Sequence, residues 1–191
     1  MAMAYGGWAS LLLGLAPLAI NPAIVLAQGP PAPAPSPGPA GQGAGRRTEV
    51  SITLDFDAPL TRVMPLFGMF EEKRWDSSWM PRAVRPDEEG QQRPGVVFTT
   101  GEGAHAAVWV LTDYDIASGL IRYVVMRDSA LTELRIQGNA SGADRTRVTV
   151  TYRITALSDE GAAYVEHFES DFPHQGPHWQ AAVSGALRNR P

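Results

Sequence analysis

Cysteine is absent from the 191 residues. That one absence excludes disulfides, thiolate metal sites, a thiol nucleophile and a lipid-modified cysteine anchor. It also suits an oxidising compartment, where a stray thiol is a liability. Charge is missing from the front of the chain, with no charged side chain between Met1 and Gly45. A basic excess is missing from the whole, whose formal net charge is −4. The electrostatic footprint that nucleic acid or anionic lipid requires is therefore lacking. Catalytic signatures are missing as well. Ser51, Ser77, Ser78 and Ser118 lack the Gly-x-Ser-x-Gly setting of a hydrolase nucleophile. The Gly101-Glu102-Gly103 turn is too short and wrongly flanked to cradle phosphate. There is no internal repeat.

What is present at the front is an apolar run, Trp8 to Ala27, which carries Leu11-Leu12-Leu13 and ends in Val25-Leu26-Ala27 before Gln28. Modest side chains at Val25 and Ala27 suit signal-peptidase cleavage after Ala27, so residues 1–27 are expected to be a signal peptide of an exported, periplasmic or secreted protein. The departure is an n-region without Lys or Arg. The alternative is an uncleaved membrane anchor, of marginal length and interrupted by Pro17 and Pro22. Residues 28–45 are Pro, Ala and Gly with scarcely a polar group. Such a stretch cannot bury a core and is expected to be an extended tether.

From Arg46 the pattern changes to alternating strands. Val50, Ile52, Leu54 and Phe56 alternate with Ser51, Thr53 and Asp55. A short helix is expected from Pro59 to Phe70, with Asp57 as a plausible cap and Pro65 limiting it. Two tryptophans four apart follow, Trp75 and Trp79, whose rings would face the same way on a helical turn. A loop over Pro86 to Pro94 leads to a strand at Gly95–Thr100. Ala106 to Leu111, around Trp109, is apolar on both sides, so alternation does not separate its faces. Asp113-Tyr114-Asp115 and Ser118-Gly119 are expected to turn the chain. Later strands place Ile121, Tyr123 and Val125, then Leu134 and Ile136, then Val148, Val150, Tyr152 and Ile154 on an inward face.

The last thirty residues organise the rest. At about 100° per residue, Gly161, Tyr164, Val165, Phe168, Phe172, Trp179, Val183 and Ala186 form one stripe. Its phase survives Pro173, Gly176 and Pro177, which predicts one long kinked helix rather than two unrelated ones. Ser158 is its expected N-cap, with Asp159 and Glu160 placed favourably against the helix dipole. Short turns between strands imply an antiparallel sheet, and only the terminal helix is long enough to cover its apolar face. The expected class is α+β: a curved antiparallel sheet of six to seven strands gripping a long C-terminal helix, over residues 46–190.

The element order, the Ala58-Pro59 helix start, and Glu72 with Trp75-Asp76-Ser77-Ser78-Trp79-Met80-Pro81 resemble the START-like helix-grip superfamily, also called the SRPBCC or polyketide-cyclase group. Further matches are Gly95-Val96-Val97-Phe98-Thr99-Thr100, Val108-Trp109-Val110, and Val150 to Leu157 running into Gly161. The resemblance spans Glu49 to Leu187. It implies an apolar cavity between sheet and helix. Members bind lipids, sterols, polyketides or other hydrophobic molecules, and some are cyclases, aromatases or hydrolases.

The aromatic residues expected to line such a site are Trp75, Trp79, Phe98, Trp109, Tyr123, Tyr152, Phe168, Phe172 and Trp179. The alternative is that the two leading tryptophans are core plugs. The reading favoured is non-catalytic binding of a small hydrophobic molecule by a monomer without cofactor, metal or nucleic acid. Membrane contact would come only through an uncleaved N-terminus. Two readings stay open beside it. One is a cyclase or hydrolase using a carboxylate at the cavity mouth, for which Glu71, Glu72, Asp76 and Glu102 are candidates, although charges beside turns are ordinarily solvated. The other is an interaction module whose pocket is filled by its own side chains. His167, His174 and His178 stack beside Asp171, but they lie over 100° from the apolar stripe by the rule of about 100° per residue. Their spacing matches no zinc signature. His105 reads as a loop residue.

Overall fold

The computed structural model describes residues 43–103 and 106–189. The expected signal segment 1–27, the tether up to Gln42, and His105 lie outside the described residues. Gly43 to Gly45 form a turn held to the domain: Gly43 N–H donates to Asp159 Oδ1 at 2.7 Å and Gly45 N–H to the Ala156 carbonyl at 2.9 Å.

Seven antiparallel strands form one curved sheet in the order β1-β7-β6-β5-β4-β3-β2. They are β1 (Arg47–Phe56), β2 (Arg82–Ala83), β3 (Val97–Thr100), β4 (Ala107–Asp115), β5 (Leu120–Met126), β6 (Ala130–Ala140) and β7 (Thr146–Ala156). Side chains alternate between faces, and the register aligns inward residues into rows across the strands. One row runs Phe98, Trp109, Val125, Thr132, Ile154, Thr48. The next runs Leu111, Tyr123, Leu134, Tyr152, Val50. All of these are buried except Val50, which is half-buried. On the outer face, Glu49, Arg153 and Glu133 stand opposite one another, and Asp55 opposite Arg147, with ion pairs at 2.7–3.4 Å.

The structure resolves the faces of the Ala106–Leu111 run: Ala107, Trp109 and Leu111 point in. It also corrects the expected turn at Asp113–Asp115. β4 continues through these residues, because a register shift between Leu111 and Asp113 absorbs the irregularity, and the chain turns only at residues 116–119.

The terminal helix is one kinked unit, as its stripe predicts. It comprises α2 (Asp159–Asp171), a 3-10 turn over Phe172–Gln175 and α3 (Gly176–Arg188). Pro173 and Pro177 lack the N–H groups that an unbroken α-helix would use, which explains the tight turn between the halves. Ser158 caps the start, its Oγ accepting from Gly161 N–H at 3.2 Å. Every stripe residue is buried except the half-buried Tyr164. The helix packs on β1 and β7. Gly161 is needed for the approach, since a Cβ there would stand 1.9 Å from the Ser129 carbonyl oxygen. Gln180 seals part of the free β1 edge. Its Oε1 accepts from Asp55 N–H at 2.8 Å, and its Nε2 donates to the Asp55 carbonyl.

The helix expected from Pro59 to Phe70 is shorter. Only α1 (Leu60–Val63) is α-helical, and Met64–Phe67 tighten into a 3-10 turn that ends at the extended Gly68. Pro65 accounts for this, having no N–H to continue the α pattern. Residues 59–81 then travel across the concave side of the sheet as an irregular lid. Among the described residues, no helix is long and apolar enough to cross a membrane.

Candidate functional site

The nine aromatic residues singled out from the sequence separate into two groups inside the fold. Trp79, Phe98, Trp109 and Tyr123 interlock over β3, β4 and β5. Trp79 meets Trp109 edge-on at 5.3 Å, and Phe98 stacks on Trp109 at 5.5 Å. Trp75, Tyr152, Phe168, Phe172 and Trp179 interlock under the terminal helix. Tyr152 lies 4.9 Å from Phe168 and 4.8 Å from Phe172, and Trp75 lies 5.6 Å from Trp179. All nine are buried except Trp75, which is half-buried. The rings of Trp75 and Trp79 therefore point to different groups, not the same way. The single 3-10 turn at Glu72–Arg74 ends at Trp75, and a separate turn carries the chain on to Trp79. Their indole N–H groups tie the lid to itself, donating to the Leu66 and Met69 carbonyls at 2.7 and 2.6 Å.

Near both groups lies a carboxylic acid. Glu72 is 3% exposed and Asp76 5%, so neither is solvated as residues beside turns ordinarily are. Glu71 is half-buried and pairs with Arg74, whereas Glu102 is exposed. Burial, helped by the nearby Asp76 charge, pushes the Glu72 carboxyl well above its ordinary value. When ionised it would raise two phenols, Tyr123 in one aromatic group and Tyr152 in the other, so it lies within electrostatic reach of both. Those phenols are raised well above their ordinary value, mainly by their own burial. Tyr164, at the outer end of the helix group, is pushed up to about 12 by burial.

Hydrogen bonding around this centre is incomplete. Glu72 Oε1 and Asp76 Oδ2 are buried without a partner among the described residues. Asp76 Oδ1, by contrast, accepts from Ser78 N–H at 2.9 Å and from Ser78 Oγ–H at 2.6 Å. A buried acceptor without a donor costs on the order of 1–3 kcal/mol. Two such atoms on one turn mark the place where the packing is not optimised for stability alone. A carboxyl whose burial favours the protonated form can donate a proton as well as accept a hydrogen bond. That combination serves either to orient a guest or to act as a general acid.

The remaining sequence candidates lie elsewhere. His167 pairs with Asp171 at 3.1 Å on the outer face of α2, and His174 and His178 are exposed. A surface groove between Ser51–Leu54 of β1 and the Pro173–Pro177 bend contains no titratable side chain. The sequence marks Glu72 as part of the resemblance that includes Trp75 to Pro81 and as one carboxylate among four candidates. The signal that distinguishes it is its place between the Phe67–Phe70 and Trp75–Trp79 aromatics, inside a segment too irregular for periodicity to assign faces.

Neither a protein-family model nor a curated protein sequence matches the chain. Solved structures do match its fold. The norcoclaurine synthase of Thalictrum flavum superposes with a TM-score of 0.58 at 11% identity, over 89% of this chain and 100% of that one. The Zhui aromatase/cyclase of Streptomyces sp. R1128 gives 0.54 at 16% identity, over 76% and 96%. A START superfamily protein of Mycobacterium smegmatis gives 0.52 at 16% identity, over 73% and 97%. The chain has the START-like helix-grip fold that its sequence resembles.

Proposed function

We propose that this protein binds a small, mostly apolar molecule between the sheet and the terminal helix, with Glu72 as the polar group that orients it. The observation that carries the reading is a fully buried carboxyl with an unpartnered oxygen, within electrostatic reach of two aromatic groups. Ligand sites of this kind are apolar surfaces with a few placed polar atoms. The neighbours of the same fold include an aromatase/cyclase and a synthase, which supports small-molecule handling as the class of activity. The test is titration with N-phenyl-1-naphthylamine, a neutral apolar fluorophore. Saturable emission is expected, and it should weaken in Phe168→Leu while the circular dichroism spectrum stays unchanged. Absence of saturable emission from both the wild type and Glu72→Gln would overturn the reading in favour of a closed interaction module.

A second reading rests on the raised Glu72 acid. A cyclase- or hydrolase-type enzyme would use it as a general acid, from the interior rather than from the cavity mouth. Turnover that follows its titration and disappears in Glu72→Gln would establish that reading. Export remains a proposal supported by the apolar, charge-free front end. N-terminal sequencing of the protein from its host is expected to begin near Gln28, and an intact Met1 in the soluble cytoplasm would contradict it.

A further inference from the structure

The Glu72–Asp76 centre carries information about the guest. The Asp76 N–H donates to the Glu72 carbonyl at 2.9 Å, so one turn of backbone holds the two carboxyl groups close together. Each keeps a buried oxygen without a partner. Cations are at hand in the sequence but are turned away from it. Lys73 and Arg74 are exposed, and Arg74 pairs with Glu71 at 3.1 Å. Neither Glu72 nor Asp76 takes part in an ion pair among the described residues. Three donors of the surrounding aromatics are engaged with backbone. Tyr123 Oη donates to the Phe67 carbonyl at 3.2 Å, and the Trp75 and Trp79 indoles donate to the lid backbone. The centre therefore holds two unpartnered acceptor oxygens and no ion-pair partner among the described residues, beside aromatic side chains.

Resting on the binding reading above, we infer that the guest is a hydrophobic amine whose ammonium group spans Glu72 Oε1 and Asp76 Oδ2. An ammonium brings up to three donors and a positive charge, which answers both deficits at once. Aromatic faces around it add cation–π attraction. A neutral alcohol brings one donor and no charge. A carboxylate would bring a further like charge and no donor to a buried pair of carboxyl groups, and is disfavoured. Burial favours the protonated carboxyl of Glu72 and an ammonium favours the ionised one, so binding of the amine is expected to draw a proton off Glu72 into solvent.

The test is isothermal titration of the full chain at pH 7 with three compounds sharing one apolar body: 1-naphthylmethylamine, 1-naphthalenemethanol and 1-naphthoate. The amine is expected to bind at least about tenfold more tightly than the alcohol, about 1.4 kcal/mol, with naphthoate not binding. Its enthalpy should differ between phosphate and Tris buffers by the heat of one released proton. Glu72→Gln should lower the amine affinity to that of the alcohol in the same variant and remove the buffer dependence. Alcohol binding equal to amine binding, or an amine preference unaltered by Glu72→Gln, would overturn the amine inference and leave the binding reading standing. If all three naphthyl compounds fail while N-phenyl-1-naphthylamine binds, the amine inference falls alone. If that fluorophore fails too, both fall.

Discussion

The two halves of the concave face are covered in different ways. Over β1 and β7 lies a continuous helix whose stripe residues meet the sheet through carbon surface, with Phe168 and Phe172 stacked at 5.1 Å and Trp179 edge-on to Phe172. Over β3 to β5 lies an irregular lid whose Trp79 reaches the sheet, while the N–H groups of Trp75 and Trp79 hold the lid's own backbone. The helix half is an apolar interface of the usual dense kind. The lid half brings in two carboxyl groups that the apolar packing does not need and does not satisfy. The two unpartnered carboxyl oxygens thus lie in the lid half, although its Val63, Met64, Leu66, Phe67 and Met69 are as deeply buried as the helix stripe. A scaffold that keeps its strained or unsatisfied groups away from its main interface can tolerate them.

Three substitutions sharpen that contrast. The largest effect is expected in the helix half. Trp179 is fully buried against Trp75 and Phe172, so Trp179→Ala should destabilise the domain by about 3–5 kcal/mol in urea unfolding. A loss under about 1 kcal/mol, below the usual cost of truncating a core aromatic, would mean that the helix is not the principal cover.

The next effect belongs to the lid and depends on pH. The Glu72 carboxyl is raised above its ordinary value of 4.5 in the folded state. Its contribution to stability is therefore fully present below that value and is lost as pH rises through the folded one. Asp76, Tyr123 and Tyr152 are the titratable groups that face it, and the two phenols are held well above 10. Glu72→Gln should then flatten the fall in stability that sets in as pH rises above 4.5. Parallel pH profiles for the two proteins would remove Glu72 from the account.

The smallest effect is expected on the outer face. Arg153 bonds Glu49 at 2.7 Å and Glu133 at 3.4 Å, but its side chain is more than half exposed. Arg153→Ala should change the urea midpoint only slightly, and less at high salt. A large shift would show that the charged ladder, and not the interior, pins the β1–β7–β6 register.

Much of the architecture is legible in the sequence because its signals are local and periodic. Alternation assigns the inward faces of β5, β6 and β7 to the residues that occupy them, and the helical stripe survives two prolines in phase. What escapes local reading depends on contacts far along the chain. β2 is only two residues long and exists because Arg82 and Ala83 pair with Thr99 and Phe98. Glu71-Glu72-Lys73-Arg74 looks like a solvated charge run, and three of its four members are half-buried or exposed. Glu72 is buried only because the lid returns across a sheet assembled from residues up to Ala156. Periodicity has nothing to say about a single 3-10 turn, so the aromatic supply is visible in the sequence while the burial of the acid near its two groups is not.

The account's central claim is that the space around Glu72 is made for a guest. Native mass spectrometry of the protein purified from its host addresses it directly, with any adduct extracted and identified. A bound small molecule with an apolar body is predicted, reduced in occupancy by Glu72→Gln in a protein that remains folded. A chain that carries no adduct, takes up no apolar probe and has an interior packed to ordinary density would contradict it.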